Sequence, residues 1–266
     1  MAPHRLIPLT IAGCFALAGC GAGDDADGGD LASKPPEQIL ADMSAELAKV
    51  RSYHVEGTQD DEDGHSTLAA DVTAGGAARL AVNNAGKRFD LVLAGGRSYM
   101  RANRAFWSAQ GGPNGAKLAR LLGDRWVIAP PSTSGSLNAL LKELAPRTLA
   151  RCAAKDHGTI THAGTATVAG QDAVMLADKG ERPGTSPGLL SVAAKGRPLP
   201  LRVTQTGPDK PGGKPDPSCG NDGSSTTKAS DLRFSRFDAP LRIAAPRKAL
   251  DLGALQQGGG SSATQS

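Results

Sequence analysis

Few residues in this chain have chemical capacity, and most of them stand in patterns that complete no reaction. Residues 184–188 read "GTSPG" and match G-x-S-x-G, in which a serine nucleophile sits on a strand-to-helix elbow. That site takes one oxyanion donor from the N–H of the residue after the serine. Here that residue is Pro187, which has no N–H, and no helical pattern follows it. Residues 59–66, "QDDEDGHS", place four acids ahead of a glycine. Setting Gly64 at the sixth position of a calcium loop puts Gln59 first and Ala70 last, where Asp and Glu are required. The stretch is read as a solvated hairpin tip. His54, His65, His157 and His162 are scattered, and the pair in "DHGTITHAG" falls on opposite faces of a strand. "GPDKPGGKP" has lysines and glycines without phosphate-loop spacing. No catalytic residue, metal ligand or cofactor is expected.

The cysteines are more informative. After "MAPHR" with its single Arg5, residues 6–19 read "LIPLTIAGCFALAG". This apolar run is shorter than the roughly 20 residues of a spanning helix and contains Pro8, so it fits a secretory signal. It ends Leu17-Ala18-Gly19-Cys20, which resembles the bacterial lipobox. There the small residues fit the peptidase, and the cysteine thiol takes a diacylglycerol thioether. The expectation is a signal over 1–19, a lipidated Cys20 as first residue of the mature chain, and a lipid anchor on the extracytoplasmic face of the cell membrane. Cys14 leaves with the signal, so Cys152 and Cys219 remain as an even pair in an oxidising compartment. A redox or metal pair would want CxxC spacing or histidines at zinc-like distances, and neither is present. A structural disulfide is expected.

Composition narrows the class. The formal charge is +4, and removing residues 1–19 takes away only Arg5, leaving +3 (4 − 1). That mild excess does not suggest nucleic acid, which would want a concentrated basic stripe. Aromatic residues are only 3%, so a core must be built from Ala, Leu and Val, with room for voids or an aliphatic-lined cavity.

These groups must be positioned by a chain that begins as a tether. Residues 20–35, with four Asp among Gly and Ala, have no periodicity and are expected to be flexible. The tail 251–266 is equally low in complexity. "PPEQILADMSAELAKVRS" carries Ile39, Leu40, Met43, Leu47 and Val50 on one helical stripe, with Pro and Glu37 at its start. The period then becomes two. "SYHVEGTQ", "STLAADVT", "ARLAVNN", "KRFDLVLAGG", "RSYMRA" and "AFWSAQ" follow one another through short turns, as an antiparallel meander. "PNGAKLARLLG" and "SGSLNALLKELAPRTLARC" read as helices around a strand in "DRWVIAPP". Strand patterns resume from "GTITHAG" to "LRIAAP". The expected fold is α+β: one large curved antiparallel sheet of about 11 strands with about 3 helices. The domain is placed at 36–250, with a long Pro/Gly loop at 205–230.

Four stretches, "ILADMSAELAKVRSYHVEGT", "DRWVIAP", "VAGQDAVMLADKG…LLSVAAKGRPLPLRV" and "LRFSRFDAPLRIAAP", resemble in order the LolA-like lipoproteins of the mycobacterial LppX/LprG type. The resemblance implies a half-barrel whose concave face is closed by helices and holds acyl chains. It also implies a non-enzymatic, envelope-located protein whose ligand is a lipid or glycolipid. The alternative on the same fold is an envelope sensor or protein-interaction module without lipid transport. On this reading the cavity would be lined by Leu68, Ala70, Val72, Leu80, Val82, Phe89, Leu91, Leu93, Trp126 and Ile128, though ordinary core is an equal description of these rows. A rim of Arg79 or Arg101 would meet an anionic head group. Cys219, if bonded to Cys152, would pin the long loop to the end of the central helix and narrow the cavity mouth.

Overall fold

The computed structural model describes residues 30–129, 135, 138, 141–214, 216–219 and 227–251. The expected signal segment, Cys20, the acidic stretch through Gly29 and the tail from 252 onward lie outside the described residues.

Helix α1 (Pro36–Leu47) opens on the proline and buries Ile39, Leu40, Met43 and Leu47, the stripe read from the sequence. The folded part begins earlier than position 36. Asp30 caps a short 3-10 turn over Leu31–Ser33, and Leu31 is buried beside Ile39, Val174 and Val192. An isolated leucine in an acidic stretch has no periodicity to reveal it, yet its burial removes apolar surface from water.

The first meander runs through β1 (Ser52–Asp61), β2 (Gly64–Thr73), β3 (Ala78–Asn84), β4 (Lys87–Ala94) and β5 (Arg97–Ala102). Helices α2 (Arg104–Gln110) and α3 (Gly115–Leu122), the short strand β6 (Val127–Ile128) and helix α4 (Pro146–Ala153) follow. The second meander is β7 (Ile160–Val168), β8 (Gln171–Lys179), β9 (Pro187–Ala193), β10 (Pro200–Gln205) and β11 (Ala229–Ser235), and β12 (Leu250–Asp251) closes the chain's order. All twelve strands form one sheet in the order β12-β6-β5-β4-β3-β2-β1-β11-β10-β9-β8-β7. The sheet is an open, curved half-barrel, and the α+β class stands. One pair, β12 on β6, is parallel, so the sheet is mixed where a wholly antiparallel one was expected. The hairpin turns Ala85-Gly86 and Ala169-Gly170 both take positive φ at two residues, the geometry that matches strand twist.

Four elements differ from the sequence reading, the first being "SGSLNALLKELAPRTLARC", whose helix breaks at 144–145 and restarts at Pro146. "AFWSAQ" alternates weakly and was expected as a strand, but Asn103 accepts a hydrogen bond from the Phe106 N–H at 3.0 Å and starts helix α2. "GTITHAG" and "TATVAG" join into the single strand β7, with a register shift around the positive-φ Gly164. "LRIAAP" forms no strand. The chain from Ala239 to Ala249 crosses the outer face, where Ile243 and Ala249 pack on Val92, Ala94 and Tyr99.

The two meanders meet at β1 and β11, with Val55 opposite Phe234 and Gly57 opposite Leu232. A β-carbon at Gly57 would lie 1.9 Å from the Asp231 carbonyl oxygen, so only glycine allows this approach. At the corner after β11, Arg197 bridges Glu46 of α1 and Asp238, and the Arg51 backbone N–H also donates to Asp238. Lys49 first and Arg197 with it hold the Glu46 carboxyl below its ordinary range. Among the described residues, no helix is long and apolar enough to cross a membrane.

Candidate functional site

Strand pairing assigns every side chain to one of two faces. Tyr53, Val55, Leu68, Ala70, Val72, Leu80, Val82, Phe89, Leu91 and Leu93 share the face that carries α1 and α4. Burial along that face is uneven. Near the start of β1, Tyr53, Val55, Ala70, Val72, Ala78, Leu91 and Leu93 are buried under Leu47, Val50, Leu141 and Ala150. The buried Tyr53 hydroxyl donates to the Leu144 carbonyl, and burial pushes its pKa well above the ordinary value. Toward the end of β1, burial under α1 and α4 falls off, and Phe106 of α2 meets the sheet at Phe89. Leu68, Val82, Phe89, Val203 and Leu232 are only partly buried there.

Two cavities occupy the space so left. One, of about 460 Å³, is lined by Tyr53, Val55, Leu68, Leu80, Val82, Phe89, Phe106, Leu144 and Leu149. The other, of about 360 Å³, lies beneath α1 against Leu40, Met43, Leu47, Ile160, Leu176, Leu190 and Val203. Leu149, Leu232 and Phe234 line both, so α4 and β11 are the partition between them. Both sizes fall in the range of ligand pockets, and both walls are mainly aliphatic and aromatic. A third hollow of about 440 Å³ lies on the outer face and is ringed by Glu56, Arg88, Asp231 and Arg233. Its charged rim does not suit an apolar ligand.

The polar ends of the two inner cavities fall at the same end of the sheet. Gln59, Asp61, Ser66, Asn84 and Lys87 line the larger one and stand at the β1–β2 and β3–β4 turns. Asn84 Nδ2 donates to Ser66 Oγ at 2.9 Å, while its buried Oδ1 has no protein partner. Asp156, His157, Asp178, Ser186, Gln205 and Ser230 stand at the polar end of the smaller one. The Asp178 carboxylate accepts from the Gly158 and Gly180 N–H groups, at 3.0 and 2.8 Å. Burial first, and the Asp216 charge second, push the Asp156 carboxyl up.

The structure joins Cys152 at the end of α4 to Cys219, with Cα atoms 5.4 Å apart. The Arg151 guanidinium donates to the Ser218 carbonyl, and Lys155 pairs with Asp216. Residues 216–219 of the long loop are thereby held on α4, whose Leu149 separates the cavities. Farther back, the same loop is tied to the turn before β9 by Gly184 N–H to Lys210 O at 2.8 Å and Lys210 N–H to Thr185 O at 2.9 Å. Residues 220–226 lie outside the described residues. Asp156 lies beside both cysteines, but sulfurs bonded to each other offer no thiolate to a metal, which leaves one carboxylate.

The Lys155 ammonium, with Ser218, holds the Asp216 carboxyl at about 2, below its ordinary 3.8. A carboxyl depressed on folding stabilises fully above its unfolded pKa and loses that contribution as pH falls through its folded pKa. The clasp of residues 216–219 is therefore expected to hold at neutral pH and weaken only between pH 3.8 and about 2. Amide exchange at Ser218 and Cys219, read against pH, checks this, and Asp216→Asn should abolish the dependence.

The sequence-expected residues divide by strand parity. Leu68, Leu80, Val82 and Phe89 line the larger cavity. Ala70, Val72, Leu91 and Leu93 share their face but lie in the filled part of the core. Trp126 and Ile128 line neither of the two inner cavities. They pack on the opposite face with Val92, Ala94 and Tyr99, because Val127 between them takes the inward position. Arg79 and Arg101 are also outward and form no rim. Arg79 stands opposite Asp71 and Val92, while Arg101 donates to Asp90 at 2.7 Å and lies 4.9 Å over the Trp126 ring. The lining residues Phe106, Leu144, Leu149, Leu232 and Phe234 went unnamed. Alternation in "DLRFSRF" marks Leu232 and Phe234 as one face, but nothing local says that β11 pairs with β1. "GTSPG" leads directly into β9, and His65 bonds Asp60 while His162 bonds the Lys34 carbonyl.

The geometry is an open sheet with helices on one face and an apolar hollow between them. No family model and no curated protein matches the sequence. Among solved structures, LprF from Mycobacterium bovis matches with TM-score 0.50 and 15% identity, covering 80% of this chain and 99% of that one. The lipoprotein LppX from Mycobacterium tuberculosis matches at 0.43 and 14%, over 77% of this chain and 98% of that one. A LolA superfamily protein from Nitrosomonas europaea matches at 0.25 and 12%, over 81% and 97%. The likeness is one of fold: this chain has the open half-barrel fold of LprF.

Proposed function

We propose that this chain is an exported lipoprotein, held at the extracytoplasmic face of the cell membrane through Cys20, that binds acyl chains of a lipid or glycolipid in the inner hollow and is not an enzyme. One observation carries the reading: two apolar cavities share the wall formed by Leu149, Leu232 and Phe234, and their polar ends lie at one end of the sheet. Each buried CH₂ contributes roughly 0.8 kcal/mol, so two long chains bind without a specific polar contact. The polar ends supply Asp61, Ser66, Asn84 and Lys87 at one cavity and Asp156, His157 and Asp178 at the other, where a head group would sit.

Native mass spectrometry of protein purified from its own membrane, followed by organic extraction, tests the reading. Co-purified lipid at stoichiometric level is the expected result, and protein that is consistently empty in both measurements overturns it. Leu149→Trp places an indole in the wall common to both cavities. It is expected to lower retained lipid about tenfold or more, since the added volume displaces methylene contacts at roughly 0.8 kcal/mol each. The unfolding midpoint of the variant should stay near that of the parent, because the ring enters space already open.

A further inference from the structure

We propose that the hairpin of α2 and α3 is the surface on which this domain docks to an anionic phospholipid bilayer, holding the mouth of the larger cavity against the head groups. The proposal goes beyond ligand binding and beyond the Cys20 anchor.

The observations begin with placement. β5 ends and β4 begins at the polar end of the larger cavity, and α2 follows β5 there, tied back by Asn103 to the Arg88 backbone. The inner side of α2 lines the cavity through Phe106 and Gln110, with Phe106 5.3 Å from the Phe89 ring. Its other side, Arg104, Ala105, Ser108 and Ala109, is exposed. α3 is fixed against α2: a β-carbon at Gly115 would lie 2.2 Å from the Ser108 carbonyl oxygen, and Trp107 Nε1 donates to the Gly123 carbonyl at 3.1 Å. The hairpin is therefore a preformed surface.

The chemistry of that surface is one-sided. Between Asp90 and Asp124 the chain contains no acidic residue. Arg104, Lys117 and Arg120 are exposed on the hairpin, Arg125 follows it, and none of the four is in an ion pair among the described residues. Leu121 stands among them at 51% exposure, the most exposed large hydrophobic residue described. Lys117 and Leu121 lie four residues apart on α3, so they share one face of the helix, while Arg125 follows the turn at Gly123 that ends it, beside the exposed Asp124. Basic side chains around an exposed leucine match the interface of an anionic membrane, where cations meet phosphates and the apolar group enters the acyl boundary. Across the mouth, the β1–β2 turn carries Asp60, Asp61, Glu62 and Asp63. The two sides of the mouth thus bear opposite charge, and an anionic surface attracts the hairpin side alone, which sets the orientation of docking.

The test uses the chain from residue 20 onward with Cys20→Ala, which removes the expected signal and the thiol expected to carry the anchor, and vesicles of phosphatidylcholine with or without about one-third phosphatidylglycerol. Co-sedimentation at moderate salt should show binding to the anionic vesicles and little to the neutral ones. Each basic side chain near an anionic surface strengthens binding roughly fivefold, so Lys117→Ala/Arg120→Ala should weaken it about thirtyfold. Leu121→Ser should weaken it further by several-fold. Arg79→Ala/Arg242→Ala removes the same charge from exposed positions elsewhere and should change binding less than twofold. Equal binding to both vesicles, or equal losses in the two double variants, overturns the proposal. Arg79, Lys117, Arg120, Leu121 and Arg242 are exposed, and an unchanged unfolding midpoint verifies that the variants fold. Vesicle binding is read without cargo, so an empty cavity and a failure to dock are separate results.

Discussion

Cys20→Ala, in a chain exported behind a signal that the ordinary peptidase removes, is expected to move this protein from the membrane fraction to the aqueous phase. The reason lies in the arithmetic of acyl anchors. One myristoyl chain gives only marginal, reversible attachment, with an association constant on the order of 10⁴ M⁻¹, whereas two chains give a stable one. A diacylglycerol thioether supplies two chains at once, and each further buried CH₂ adds roughly 0.8 kcal/mol. No described helix offers a substitute span. Loss of the thiol should therefore lower the membrane-bound fraction about a hundredfold in high salt. At low salt, the basic hairpin of α2 and α3 should retain a smaller, salt-sensitive share. Fractionation with labelled fatty acid checks the outcome: the parent carries label and sediments with membrane, and the variant does neither. An unlabelled parent that still sediments would remove the anchor from the account.

The second large effect is expected from the disulfide. Joining Cys152 to Cys219 closes a loop of 67 residues, and in the chain-entropy model such a closure stabilises by roughly 4 kcal/mol. Cys152→Ala/Cys219→Ala should lower the unfolding midpoint by about 10 °C for a domain of this size. The loss has a location as well as a size. Amide exchange in Pro146–Ala153 and around Ser218 should accelerate, because the bridge, the Arg151 bond to Ser218 and the Lys155–Asp216 pair together hold the loop on α4. α4 carries Leu149, so the wall between the cavities loosens with it, and retained lipid should fall under reducing conditions even where the rest of the sheet stays folded. Uniform exchange across all strands would show instead that the bridge acts only on global stability.

What is legible in the sequence follows the range of the interactions involved. The α1 stripe, the β1–β5 meander and the two-faced alternation were legible because each depends on neighbours within a few residues. Helix α2 was not, because a single cap at Asn103 outweighs the weak alternation of "AFWSAQ". Trp126 and Ile128 were assigned inward because β6 has only two residues, too short for alternation to declare its phase. Arg79 and Arg101 were placed on a rim for want of knowing which face the helices cover. Both sit on the outer face, and Arg101 is paired with Asp90.

The sequence by itself determined that this chain would form a large alternating sheet with amphipathic helices and a core poor in rings, and it supplied the grounds for expecting an anchor at Cys20. Each of these follows from composition or from periodicity along the chain. The tertiary structure alone decided that β11 closes onto β1 across Gly57, that the helices cover one face only, and that a hollow remains between them and the sheet near Leu68, Val82 and Leu232. A hollow is the space left between elements that are distant in sequence. No side chain encodes it locally, and it arises where helix length, strand register and sheet curvature fail to bring two apolar surfaces into contact.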